Sequence, residues 1–172
     1  MRNNQGPWQG RQPSGSQRPP GVPPRQSRAD GERERKERIK ALLRSTDGVA
    51  YVSAAKPGPD FLDRDARQQA EDFRELHAAQ LRRFYGMAMA FKRRLEIDDT
   101  LRDDEVQAQM AYLKAAAAYA AMRNQPYELA RFFTRHANSV KTRAQFDRFC
   151  RHFEAVVAYH KVFGEEKKER RD

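Results

Sequence analysis

The side chains able to do acid–base, nucleophilic or metal chemistry are few and poorly spaced for it. Histidines stand at positions 77, 136, 152 and 160, and no two are four residues apart. No helical turn therefore offers a paired imidazole to a metal, and there is no HExxH or CxxC. His160 falls on an apolar helical stripe, where a hydrogen-bonded core imidazole is the expected role. Cys150, the only cysteine, sits between Phe149 and Arg151. It cannot form an internal disulfide and is expected to pack as a small hydrophobe. Asp98-Asp99 and Asp103-Asp104 are dense enough for a cation, but their place at a helix turn favours capping and solvation. No glycine-rich phosphate loop, no G-x-S-x-G and no acid–histidine spacing of a base with its orienter occurs. The expectation is a non-enzyme with no catalytic residue, no metal and no cofactor.

The arginines carry a stronger signal. Lys plus Arg number 34 against 24 for Asp plus Glu, a net charge of +10, which points to a polyanionic partner. Residues 76–95 hold five basic and no acidic groups, and residues 106–164 hold nine basic against three acidic. Acids gather instead at 60–75 and 96–105, six in each. On a helical wheel Arg82 and Arg93 fall within about 20° of each other, with Gly86 and Met89 between them. A second stripe holds Arg83, Met87, Ala90 and Arg94. Arg131 and Arg135 are an i, i+4 pair, Arg123 precedes their helix, and Lys141 and Arg143 follow it. Arg148, Arg151 and Lys161 lie on the last helix. Arginine outnumbers lysine here, which favours forked contacts to phosphate over diffuse charge. Such contacts grip a backbone without reading its sequence.

The elements that would position these groups are helical. Residues 60–74, 77–96, 100–123, 126 onward and 142–164 each repeat apolar side chains at steps of three and four. Asp60 can cap the first helix, Thr100 with Asp103 gives a box-like start to the third, and Pro126 opens the fourth. Between Val106 and Met122 the only charge is Lys114. A helix so apolar all round is expected to lie centrally. The last helix carries the stripe Phe146, Phe149, Phe153, Val156, His160, Phe163. Thr142 and Gln145 form its capping box and Gly164 its expected left-handed stop. Its opposite side (Ala144, Ala155, Ala158, Tyr159, Val162) is also apolar, which suits either central burial or a partner. The fold class is all-α: a compact bundle of about five helices with a disordered basic N-terminal arm.

The expected organisation is a Pro/Gly/Arg-rich arm over 1–29, a weak helix and linker over 30–59, the helical bundle over 60–164 and a charged tail over 165–172. The arm holds six of the nine prolines, five arginines and no acid, with Trp8 as its single aromatic. It cannot bury enough apolar surface to offset its ordering entropy. Such an arm either stays solvated or condenses on nucleic acid with Trp8 stacked on a base. The longest purely apolar run, Ala115 to Met122, is too short to cross a bilayer. The first ten residues lack the apolar core of a secretory signal. A soluble, cytoplasmic chain with no membrane partner is expected.

Three segments together resemble a known family. His77-Ala78-Ala79-Gln80-Leu81-Arg82-Arg83-Phe84-Tyr85 resembles the T-x-x-Q-L-R-K-F-Y start of the main helix in the small-subunit family of type III-A CRISPR Csm effector complexes. Ala117 to Arg123 resembles its Y-A-x-x-R segment. Phe153 to Gly164, FEAVVAYHKVFG, resembles its C-terminal F-E-A-x-V-A-Y-H-K-x-x-G signature. The matched stretch covers roughly residues 60–164. His77 departs from the usual Thr or Ser cap, and residues 1–46 have no counterpart in the pattern.

The resemblance implies a non-catalytic subunit that stacks in copies as a filament within a ribonucleoprotein for antiviral defence. It would line the channel holding guide RNA paired with target single-stranded RNA. It would touch the backbone subunits and the large polymerase-like subunit. Arg82, Arg123 and Lys161 match motif positions and become the first candidates for RNA phosphate contacts. Arg83, Arg93, Arg131, Arg135, Lys141 and Arg143 are placed by charge and phase. Two alternatives remain open: a free-standing nucleic-acid-binding helical module, and a protein–protein adaptor whose arginines serve solubility.

Overall fold

The computed structural model describes residues 25–123 and 126–169, with side-chain environments over 29–123 and 126–163. Trp8 and most of the expected arm lie outside the described residues, as do the last three of the tail. Every regular element described is helical: α1 (Arg25–Arg44), α2 (Ala50–Ser53), a 3-10 turn (Pro59–Phe61), α3 (Arg64–Asp72), α4 (Ala78–Ile97), α5 (Asp103–Met122), α6 (Tyr127–Ser139) and α7 (Arg143–Glu169). The five helices expected from periodicity correspond to α3 through α7.

The two preceding helices are more firmly held than a linker would be. Ile39 and Leu42 of α1 and Val52 of α2 are buried in the same core as the later helices. The α1–α2 connection is tied down from α6: Asn138 Nδ2 donates to Ser45 O at 2.8 Å and to Asp47 O at 2.9 Å, and Val49 N donates to Ser139 Oγ at 2.7 Å. Ala50–Ser53 folds as one helical turn capped by Val49, with Tyr51 stacked on Phe61 at 5.0 Å. α1 begins at Arg25, directly after the last proline of the arm, so residues 25–29 extend the helix rather than the arm.

The core is a ladder of rings. Phe73, Phe132, Phe133, Phe146, Phe149 and Phe153 are all fully buried. Phe91 meets Phe146 at 5.3 Å and Tyr85 meets Phe153 at 5.8 Å, which sets α4 antiparallel to α7. Edge-to-face pairs such as Phe133–Phe153 at 5.6 Å contribute beyond their buried area. The expected capping box of α7 forms: Gln145 N donates to Thr142 Oγ1 at 3.3 Å, and Thr142 N donates back to Gln145 Oε1 at 3.2 Å.

Four expectations change. α7 runs through Gly164 to Glu169, because Glu165 to Glu169 are strong helix formers, so Gly164 does not stop it. Thr100 does not cap α5; Asp98 Oδ1 accepts from its N–H at 2.9 Å and its hydroxyl at 2.6 Å. The α5 start is held instead by Glu105, whose Oε2 accepts from Arg102 N at 2.8 Å. Asp60 lies in the 3-10 turn, and α3 starts at Arg64. Finally, α5 is not central. Val106, Met110, Leu113 and Ala117 are buried on the side that faces its neighbours, α6 foremost, while Tyr112 and Tyr119 are 57% and 63% exposed.

Candidate nucleic-acid interface

α4 is built from strong helix formers and buries Leu81, Phe84, Ala88, Phe91 and Leu95. Burial of that stripe turns Arg82, Arg83 and Arg93 outward. All three are exposed, and none has a hydrogen-bond or ion-pair partner among the described residues. The two other basic groups of α4 are engaged. Lys92 Nζ pairs with Asp147 Oδ1 of α7 at 2.7 Å, a hydrogen bond that raises its pKa. The Arg94 guanidinium lies 5.8 Å from the Phe91 ring centroid.

Between α4 and α5 runs a groove of ≈ 550 Å³. Arg83 and Met87 of α4 line one side, and Tyr112, Tyr119 and Arg123 line the other. Its floor includes Ala115, Ala116 and Ala120, which leave it unfilled. Arg123 stands just past the end of α5 and donates through Nη1 to the Tyr119 hydroxyl at 3.0 Å. The guanidinium keeps its remaining donors toward solvent. The antiparallel register of α4 and α7 carries exposed Lys161 to the end of the bundle where α4 begins, the end that also holds Arg82, Arg83 and Arg123.

The other predicted cations lie elsewhere and mostly hold backbone. Arg135 donates through Nε and Nη2 to Gly48 O at 3.2 and 3.1 Å. Lys141 Nζ donates to Ala137 O at 2.9 Å, closing the last turn of α6. Arg143 clamps the α4–α5 connection: its guanidinium donates to Leu95 O and to Leu101 O, and its backbone N–H to Asp103 Oδ1 at 3.0 Å. Arg148 similarly binds the carbonyls of Val52 and Ala54. Arg131 is exposed and without a partner among the described residues, but it lines a different cavity, of ≈ 320 Å³, beside α2 and α3. The nine candidates therefore form no single patch. Arg82, Arg83, Arg123 and Lys161 gather at one end, and Arg93 extends along α4.

The second cavity reaches Tyr51, His136 and His152. His136 Nδ1 bonds to Phe132 O at 2.7 Å, so that nitrogen carries the proton. Nε2 then accepts from the Tyr51 hydroxyl at 2.8 Å. Burial pushes the His136 pKa down to about 3, with His152 adding to the effect. Burial likewise lowers His152, whose Nδ1 is spent on Phe61 O. His160 Nε2 bridges the carbonyls of Phe73 and Leu76, each at 3.1 Å, in the core role expected of it. Burial raises the Cys150 thiol to about 12, which makes it a packing group. Three imidazoles are thus bound to main-chain carbonyls, and among the described residues no group of three or more His, Cys, Asp or Glu could hold a metal ion. No described helix is long and apolar enough to cross a membrane.

Tyr112 and Tyr119 were not among the sequence candidates. Their signal is visible in retrospect: two tyrosines seven apart on an alanine-rich helix share a face, and that face is outside the α6 contact.

A family model described as Csm2 Type III-A matches residues 56–166. No curated protein and no solved structure matches the chain. The family match excludes α1 and α2.

Proposed function

The chain belongs to the Csm2 Type III-A family and is a subunit of a type III-A CRISPR effector complex; on that footing we propose that it is a non-catalytic small subunit lining the channel that holds guide RNA and target single-stranded RNA. The single observation that carries this reading is the unengaged arginines Arg82 and Arg93 on one outward stripe of α4 and Arg83 on the next, joined at one end by Arg123. A guanidinium without an internal partner offers its full fork of donors to phosphate. The same stripes lack acids that would repel RNA, since α4 carries only Glu96, near its end. Lys161 lies at the same end of the bundle.

The partners in this reading are the guide and target RNAs, the backbone and large polymerase-like subunits of the complex, and further copies of the chain stacked as a filament. The apolar outward positions Ala158 and Val162 of α7 support contact with a protein neighbour. Engagement of His136, His152 and His160 with carbonyls supports a role without acid–base chemistry.

Co-expression with the genes of its complex tests the reading. The chain should elute in a particle containing guide RNA, and Arg82→Glu with Arg123→Glu should weaken target-RNA retention while the bundle still melts cooperatively. Recovery free of both nucleic acid and other subunits would overturn it.

A further inference from the structure

The α4–α5 groove has features that phosphate contact does not use. Most aromatic rings of the bundle are packed in or against the core, yet Tyr112 and Tyr119 are the large aromatics that remain mostly exposed among the described residues. They lie seven positions apart on α5, hence on one face and separated by about 10 Å along the helix axis. The residues between them on that face are alanines, and the Arg123 guanidinium lies 5.8 Å from the Tyr119 ring centroid. The Arg123 hydrogen bond to the Tyr119 hydroxyl at 3.0 Å holds that ring in place before any ligand arrives. Two arginines and no acid line the groove, so its charge suits a polyanion better than an apolar knob from a protein. Gln80 adds an amide able to donate to or accept from a base edge.

We propose that this groove seats unpaired RNA bases, stacked on Tyr119 and Tyr112, while Arg83 and Arg123 take the flanking phosphates. The inference rests on the RNA-lining reading above and gives it a strand preference. Rings about 10 Å apart exceed the stacking step of about 3.4 Å, so bases seated on both rings are not direct stacking neighbours, and only unpaired bases can swing out to meet a ring face. The volume of ≈ 550 Å³ accommodates a nucleobase. Aromatic stacking tolerates any base, so the groove distinguishes single strands from duplex without reading sequence.

The test uses the full chain and three RNA probes of equal length: a uridine single strand, the same strand with abasic sites, and a blunt duplex. Tyr112→Leu with Tyr119→Leu should weaken binding to the uridine strand about 10- to 100-fold, leave duplex binding unchanged and keep the salt slope. The abasic strand should bind the unaltered chain as weakly as the uridine strand binds the variant, and Tyr119→Phe should restore most of the affinity. Both tyrosines are exposed, so cooperative melting of the variants confirms folding. Unchanged uridine-strand binding in the leucine variant, or full affinity for the abasic strand, overturns the base-seating groove and leaves the phosphate reading standing. RNA binding that survives in the leucine variant while co-purification with other subunits is lost assigns the groove to a protein neighbour and overturns the proposal. Arg82→Glu with Arg93→Glu reports on the other premise: an unchanged salt slope there overturns the phosphate reading, whatever the tyrosines do.

Discussion

Arg135 and Gly48 are joined across 87 positions of sequence by a forked contact, Nε and Nη2 both donating to one carbonyl oxygen at 3.2 and 3.1 Å. That contact separates Arg135 from Arg131, one turn earlier on α6, which has no partner among the described residues. Arg135→Ala should destabilise the bundle by about 1.5–3 kcal/mol, the range for hydrogen bonds to a charged group. Arg131→Ala should stay within about 0.5 kcal/mol. Urea unfolding of the two variants side by side checks this, and equal midpoints would contradict it.

Gly48 is also the point where the α1–α2 connection presses on α6. A Cβ there would lie 2.6 Å from Ser139 Oγ, which accepts from Val49 N and donates to Arg135 O at 3.2 Å. Gly48→Ala should therefore force the hydroxyl out of its bonds at a cost of about 1–2 kcal/mol. Ser139→Ala removes the same bonds without the clash. The double variant should lose less than the sum of the singles, because the two changes disrupt one contact. Strict additivity in denaturant midpoints would show that the contact is not shared.

The bundle should weaken on mild acidification through its buried imidazoles. The folded-state pKa of His136 is about 3 against an ordinary 6.5, so between those values the unfolded chain holds more protons. Stability from this group is fully present above about pH 6.5 and is lost as pH falls toward 3, at up to about 1.4 kcal/mol per pH unit. His152, lowered by burial as well, adds in the same direction. The urea midpoint should drop between pH 7 and 5, and His136→Gln should flatten that drop whatever its absolute stability. A midpoint independent of pH over this window would contradict the assignment of buried neutral imidazoles.

Cys150 should not react with a thiol reagent in the native state. It is 1% exposed and its thiol is raised to about 12 by burial. Labelling with a disulfide reagent should proceed only as fast as the bundle opens, and should accelerate with urea in step with unfolding. Rapid stoichiometric labelling in buffer would show an accessible thiolate.

Much of this architecture is legible in the sequence because it depends on local pattern. The Thr142–Gln145 box, the stripe of α4 and the buried face of α7 follow from side chains three and four positions apart. The Thr100 start does not, because Asp98 competes for the same hydroxyl two residues away. The fate of each arginine is harder still. Arg135, Arg143 and Arg148 reach carbonyls 42 to 96 positions distant. No periodicity separates them from Arg82 or Arg93. Charge and phase pick out all of them alike; only the packing of α2 and the α4–α5 connection tells which guanidinium groups are already spent. Tyr112 and Tyr119 were hidden for the opposite reason: an alanine-rich helix reads as central until its neighbours are known to cover one side.

The salt dependence of RNA binding tests the central claim most directly. Each phosphate neutralised on a single strand contributes about 0.7 to the slope of log affinity against log salt. Replacing Arg82, Arg83 and Arg93 together by alanine should lower the magnitude of that slope by about 2, while Arg135→Ala leaves it unchanged. A triple variant with the slope of the unaltered chain would contradict the claim that the unengaged arginines of α4 hold RNA.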